Sequence, residues 1–181
     1  GQFVQIAFPD LGVFAFHPIS ISSSPHESLV TLHIRGLGNW AKRLVELAKT
    51  KDEVPILIEG PYGSLSVDLD DDSRYQMAVF LSGGIGVTHC QSVAKSLLND
   101  HRNGRKLKHL RFVWASRDLD MLKTMVQLEN PTTPVELELS TTAFDMSTSS
   151  HLGDGHVEGQ NVDRIIETDF FLTKGTARSP L

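Results

Sequence analysis

Seven residues limit the fold more than any others. Ser82-Gly83-Gly84-Ile85-Gly86-Val87-Thr88 follows the continuous apolar run 77–81. It opens segment 87–98, where Val93, Leu97 and Leu98 recur at helical spacing. A continuous apolar run suits a parallel strand covered on both faces. Strand, glycine turn and helix in that order open a β-α-β unit. Glycines there let backbone N–H groups approach a phosphate, with the helix N-terminus supplying positive potential. They equally suit a tight turn that needs glycine for backbone reasons alone. The pattern is GGxGxT, not the GxGxxG fingerprint of dinucleotide-binding folds.

The β-α rhythm continues downstream. Residues 110–115 read as a second buried strand, and 118–129 as a second helix with Leu122, Met125 and Val126 on one face. Residues 135–139 alternate like an edge strand. The Ser-, Thr-, Gly- and Asp-rich stretch 140–160 reads as a flexible insertion. A short helix at 162–167 and a last strand at 170–172 follow, and 173–181 shows no closing element. Upstream the pattern is β instead. Residues 2–8, 13–20 and 29–35 read as strands separated by Pro9-Asp10-Leu11-Gly12 and Ser22-Ser23-Ser24-Pro25. Trp40, Leu44, Leu47 and Ala48 form one helical face, with Asn39 as its cap. Residues 55–59 form one more strand. The acidic stretch 68–72 reads as a solvated linker. The expected architecture is thus β plus α/β: an antiparallel β-barrel, residues 1–66 and N-terminally incomplete, then a partial parallel-sheet lobe, residues 74–181 and C-terminally incomplete.

Composition excludes other classes. Seventeen Lys+Arg against 22 Asp+Glu give a formal charge of −5, which disfavours a nucleic-acid binder. The single cysteine, Cys90, allows neither an internal disulfide nor a cysteine zinc site, and no metal site is expected. No apolar run approaches the roughly 20 residues that span a bilayer. The chain opens at Gly1 directly onto a strand, as a piece of a longer protein would.

Three further segments carry candidate chemistry. Ser116-Arg117 ends the second parallel strand, where open α/β sheets bind ligands, and an arginine there accepts the 2′-phosphate of NADP. Its plainer role is a surface pair with Asp118. His17-Pro18-Ile19-Ser20 leads into a run of hydroxyls that can donate to an acceptor-rich ring, or simply end the strand in a polar turn. His33-Ile34-Arg35-Gly36-Leu37-Gly38-Asn39-Trp40 sets an arginine beside a helix N-terminus, a second anion site or a capped helix with a snorkelling arginine.

In order and spacing these motifs resemble the cytosolic dehydrogenase module of the ferric reductase and NADPH oxidase family, within the ferredoxin–NADP reductase-like flavoenzymes. His17-Pro18-Ile19-Ser20 is similar to that family's His-Pro-Phe-Thr flavin motif, and Gly1-Gln2-Phe3-Val4 to its upstream strand. His33 to Trp40 is similar to its flavin pyrophosphate segment. Gly60-Pro61-Tyr62-Gly63 resembles its Gly-Pro-aromatic-Gly loop, Gly83 to Thr88 its NADPH pyrophosphate loop, and Trp114 to Asp118 its next strand. The resemblance covers roughly residues 1–120.

That resemblance implies FAD and NADPH as cofactors. Ser20 would bond the flavin near N5, as the catalytic contact. His17, Pro18, Ile19, His33, Arg35, Gly38, Trp40, Gly60, Pro61 and Gly63 would line the flavin site, with Arg35 facing the pyrophosphate. Gly83, Gly84, Gly86, Val87 and Thr88 would cradle the NADPH pyrophosphate, and Ser116 and Arg117 would hold its 2′-phosphate. The sequence departs from the pattern at Ile19, where an aromatic is usual, and at Ala41, where a hydroxyl is usual. The family's C-terminal Cys-Gly-Pro segment is absent. The implied reaction is hydride transfer from NADPH to FAD. Electrons would then pass to haems in a membrane half that is absent here, and on to ferric iron or dioxygen. The implied location is the cytosolic face of a membrane, and the partner is a haem-bearing transmembrane domain of the same protein. Two other readings stay open: a soluble flavoreductase with a protein or haem acceptor, and an inactive flavin- or nucleotide-binding interaction module.

Overall fold

The computed structural model describes residues 1–12, 15–69, 71, 73–118, 121, 125 and 165–172. Two three-stranded sheets carry the fold. In the first, β1 (Phe3–Ala7) lies antiparallel between β2 (His17–Ser20) and β3 (Leu57–Tyr62). Alternation along β1 sends Val4 and Ile6 into a core with Phe8 and leaves Phe3 and Gln5 on the other face. Helix α1 (Gly38–Ala48) lays Trp40 and Leu44 against that core. Ala48, expected on the same face, is exposed. No side chain caps α1: Leu37 holds the cap position, and Asn39 sits inside the first turn.

Residues 29–35 do not form the expected strand. They touch β2's continuation at one antiparallel bridge, Ile21 to Leu32. One backbone bond, from the Ser22 N–H to the Thr31 carbonyl at 3.0 Å, goes with it, and serine hydroxyls supply the other contacts. The Thr31 N–H donates to Ser23 Oγ at 2.9 Å, and the Thr31 carbonyl accepts from Ser22 Oγ at 2.8 Å. Short polar side chains compete with the backbone in this way. The strand expected at 55–59 starts later and runs through Gly60 and Pro61, which are joined by a cis peptide bond. No closed barrel forms among the described residues.

The second sheet is parallel, in the order β4 (Met77–Gly83), β5 (His109–Ser116), β6 (Ile166–Leu172). Strand β6 therefore begins where a short helix was expected. Helix α2 (Val87–Arg102) covers one face. Its Val93, Ala94, Leu97 and Leu98 pack with Leu110, Phe112 and Trp114 of β5. Burial of such side chains contributes about 1.5–3 kcal/mol each. Among the described residues the first core holds three buried apolar residues and the second eleven, so the second half buries the larger share of apolar surface there. Strand β4 is not buried on both faces as its apolar run suggested. Met77, Val79 and Leu81 are exposed, because no described element covers that face. The expected elements at 119–129 and 135–139, the insertion at 140–160 and the tail 173–181 lie outside the described residues, apart from Met121 and Met125.

Candidate functional site

The expected flavin residues divide between the two faces of the first sheet. Register pairs Ser20 with Phe3, and Phe3 with Tyr62. These three share the face that holds an open hollow of about 590 Å³, lined by Phe3, Gln5, Phe16, Glu59, Tyr62 and Gly63. The Ser20 hydroxyl has no hydrogen-bond partner among the described residues. Three residues earlier, His17 points to the opposite face and stacks on Trp40, with centroids 3.9 Å apart and planes 30° from parallel. Ile19 packs on the same apolar cluster as Trp40. The Trp40 Nε1 is buried without a hydrogen-bond partner among the described residues.

Arg35 and Gly38 are exposed next to the uncapped start of α1, and Arg35 has no ion-pair partner among the described residues. Ala41 is buried and offers no polar side-chain atom. His33 turns away from this group. Its Nδ1 lies 2.7 Å from Ser22 Oγ, inside a polar cavity of about 100 Å³. Burial holds its pKa below the ordinary histidine value, and the charge of Lys95 adds to the effect.

The candidate glycines of the two halves answer different demands. Gly60 is required by the fold. Its φ is +125°, and an added Cβ would lie 3.2 Å from the backbone nitrogen of Tyr62. Gly84, at φ +52°, also needs a residue free of Cβ strain. Gly83 and Gly86 do not. Both have ordinary negative φ, −132° and −61°, and a Cβ on either would meet nothing within 4 Å. Their bareness serves no contact within the described chain, but leaves room for a group to approach the backbone.

The loop is anchored from below. The indole N–H of fully buried Trp114 donates to the Gly84 carbonyl at 2.9 Å. That turns the carbonyl inward, away from any anion at the helix start. In the sequence Trp114 stands as one member of the strand motif 114–118. The available signal was that a tryptophan within a buried strand must find an acceptor for its N–H.

Val87 is a core residue, and its backbone N–H already donates to the Gly84 and Ile85 carbonyls, so it shapes the loop from within. Thr88 is buried, and its hydroxyl donates to the Ile85 carbonyl at 3.1 Å. Ser116 is also buried, and its hydroxyl closes a turn with the backbone of Asp118. Arg117 is exposed. It does not pair with Asp118, whose Oδ1 accepts from the Met121 N–H at 3.1 Å instead. Among the described residues, no group of three or more His, Cys, Asp or Glu side chains can hold a metal ion, and no helix is long and apolar enough to cross a membrane.

Residues 75–165 match the ferric reductase NAD-binding domain family, and residues 1–66 match an FAD-binding domain family. The chain belongs to the ferric reductase NAD-binding family. Dual oxidase 2 of Rattus norvegicus is 34% identical over 125 residues, 65% of this chain and 8% of that protein. NADPH oxidase 1 of Mus musculus is 30% identical over 123 residues, 65% of this chain and 20% of that protein. The chain thus spans a small part of the length of these curated relatives. Ferredoxin-NADP+ reductase from Plasmodium falciparum shares the fold, with a TM-score of 0.50 at 17% identity over 66% of this chain and 46% of that one. This member of the ferric reductase family is an FAD- and NADPH-binding reductase module, an antiparallel sheet followed by a parallel sheet with helices. Open backbone at Gly83 and Gly86, and an Arg117 with no ion-pair partner among the described residues, fit a nucleotide. An unpaired Arg35 beside uncapped α1 fits a flavin's pyrophosphate.

Proposed function

We propose that this module takes electrons from NADPH onto FAD. It then delivers them to haems in a membrane-embedded part of the same protein, and onward to ferric iron or dioxygen. When bound, NADPH supplies a hydride, and FAD accepts it and releases electrons singly. The chain's own part is to bind and align.

The observation that carries this reading is the open space at Gly83 and Gly86, where the fold itself needs no glycine. Backbone N–H groups at the start of α2 would face the NADPH pyrophosphate there. Arg117 would take the 2′-phosphate with paired charge-assisted hydrogen bonds. Thr88 and Ser116 would shape the loop and the strand end, since their hydroxyls are already engaged. Across the molecule, Arg35 and the first turn of α1 would hold the FAD pyrophosphate, and the free Ser20 hydroxyl would meet the flavin near N5. His17 would act by orienting Trp40. The boundary between flavin and nucleotide domains falls between residues 66 and 74, and the module sits on the cytosolic face of the membrane. Dual oxidase and NADPH oxidase, by name, support an oxidase-type acceptor.

The test is to load the chain with FAD, mix it anaerobically with NADPH, and follow bleaching of the flavin absorbance. Dioxygen or a ferric chelate is then admitted. Bleaching by NADPH followed by recovery with the acceptor is the expected course. A flavin that binds but is not bleached by NADPH over hours overturns the reading.

A further inference from the structure

We infer that Ser92 and Lys95 of α2 are positioning residues that clasp the two halves together. They would fix the distance between the flavin contact Ser20 and the nucleotide loop; this role rests on the hydride-transfer reading above, though the geometry does not. Helix α2 is buried on more than the face that meets its own sheet. Thr88, Gln91 and Ser92 are buried as well, and with Lys95 they make a polar stripe at helical spacing. That stripe faces the turn that follows Ser20. Ser92 Oγ donates to the Ser23 carbonyl at 2.7 Å, fully inside the protein. One turn on, Lys95 Nζ lies 3.0 Å from Glu27 Oε1, with side-chain exposures of 14% and 32%. The other oxygen of Glu27 accepts from the Ser24 N–H. Burial pushes the Glu27 pKa up, but that N–H and the Lys95 ammonium outweigh it and hold the pKa below the ordinary value.

The turn is equally tied on its far side. Ser22 Oγ donates to the Thr31 carbonyl and lies against His33. Segment 22–27 is therefore a strap with few ways to shift. It begins two residues after Ser20 and is grasped by the helix whose first turn forms the nucleotide loop. From Val87 to Ser92 is about 7.5 Å along the helix axis, at 1.5 Å per residue. Strand end, strap and loop thus form one short rigid path. Reactions between two bound groups lose rate steeply with misplacement, about a hundredfold for 1 Å. A clasp placed here governs that distance.

The experiment measures the geometry directly, on the cofactor-free full chain. Spin labels at Arg43→Cys on α1 and Arg102→Cys on α2, both exposed positions, are placed in a Cys90→Ala background. Pulsed dipolar spectroscopy then reads the distribution of distances. The parent should give one narrow distribution. Ser92→Ala and Lys95→Met should each widen it at least about twofold, and Lys95→Arg should keep it narrow. A double variant, Ser92→Ala with Lys95→Met, that stays folded by circular dichroism and retains the parent distribution overturns the proposal. Should the double variant not fold, Ser92→Ala and Glu27→Gln decide by the same criterion. With cofactors added, the widened variants should bind FAD and NADPH within about twofold of the parent, yet reduce flavin at least tenfold more slowly. Equal loss of affinity and rate would mark Ser92 and Lys95 as merely structural.

Discussion

Replacing Arg117 with alanine should separate two nucleotides that differ by one phosphate. Arg117 is exposed, has no ion-pair partner among the described residues, and leaves Asp118 occupied with the Met121 N–H. Its removal should therefore cost the fold no more than about 0.5 kcal/mol, as for an ordinary surface change. A 2′-phosphate at this position would gain a guanidinium fork. A hydrogen bond to a charged group contributes about 1.5–3 kcal/mol net. Exposure to water places Arg117 at the lower end, about 1.5 kcal/mol for each bond, so one to two bonds bring the loss to roughly one to two decades of affinity. The assay is calorimetric titration of FAD-loaded protein, parent and Arg117→Ala, with NADPH and with NADH. NADPH should weaken ten- to a hundredfold while NADH, which lacks the phosphate, stays within about twofold. Equal weakening of both nucleotides would refute the argument and return Arg117 to a structural role.

Three other perturbations follow from the same geometry. Gly86→Ala meets open space at an ordinary φ, so denaturant stability should hold or rise by about 0.4–1 kcal/mol while NADPH affinity falls at least tenfold; a parallel loss of both would place the glycine in the fold's service. Trp114→Phe removes the indole donor from the Gly84 carbonyl, which keeps the Val87 N–H, a cost of about 0.5–1.5 kcal/mol. It also disturbs the edge-on contact with Phe170, worth about 0.5–1.5 kcal/mol, so urea unfolding should show a loss of about 1–3 kcal/mol in all. Burial keeps His33 neutral in the folded state below its ordinary pKa, so the unfolded chain binds the proton first and stability falls as pH drops below about 6.5; thermal melts of His33→Gln should be flatter than the parent's between pH 7 and 5.

The parallel half was legible because its signals are local. An apolar run, a glycine turn and a helical apolar stripe occupy consecutive residues, and β4, α2 and β5 formed where they pointed. Two features escaped because they depend on distant parts of the chain. Residues 29–35 alternate like a strand, yet Ser22 and Ser23 capture the Thr31 backbone and leave one bridge. The apolar run of β4 is exposed at Met77, Val79 and Leu81, since hydrophobicity alone does not say which faces become covered. At the site, the glycine loop and the two unpaired arginines could be read from spacing. His33 could not, because its partner Ser22 is eleven residues away and its cavity is completed by Gln91 and Lys95 of α2. The buried polar stripe of α2 was visible in the sequence at 88, 91, 92 and 95. Its apolar neighbours at 93, 97 and 98 carry the stronger helical signal.

Flavin binding by the first half is the central requirement of the proposed function. Purified, folded chain should be titrated into FAD while flavin fluorescence is followed, in parallel with Arg35→Ala. A single saturable quenching phase is expected for the parent, with an affinity at least tenfold weaker for Arg35→Ala because an unpaired guanidinium beside the uncapped α1 terminus is lost. Absence of saturable quenching in a sample that is folded by circular dichroism would contradict the account.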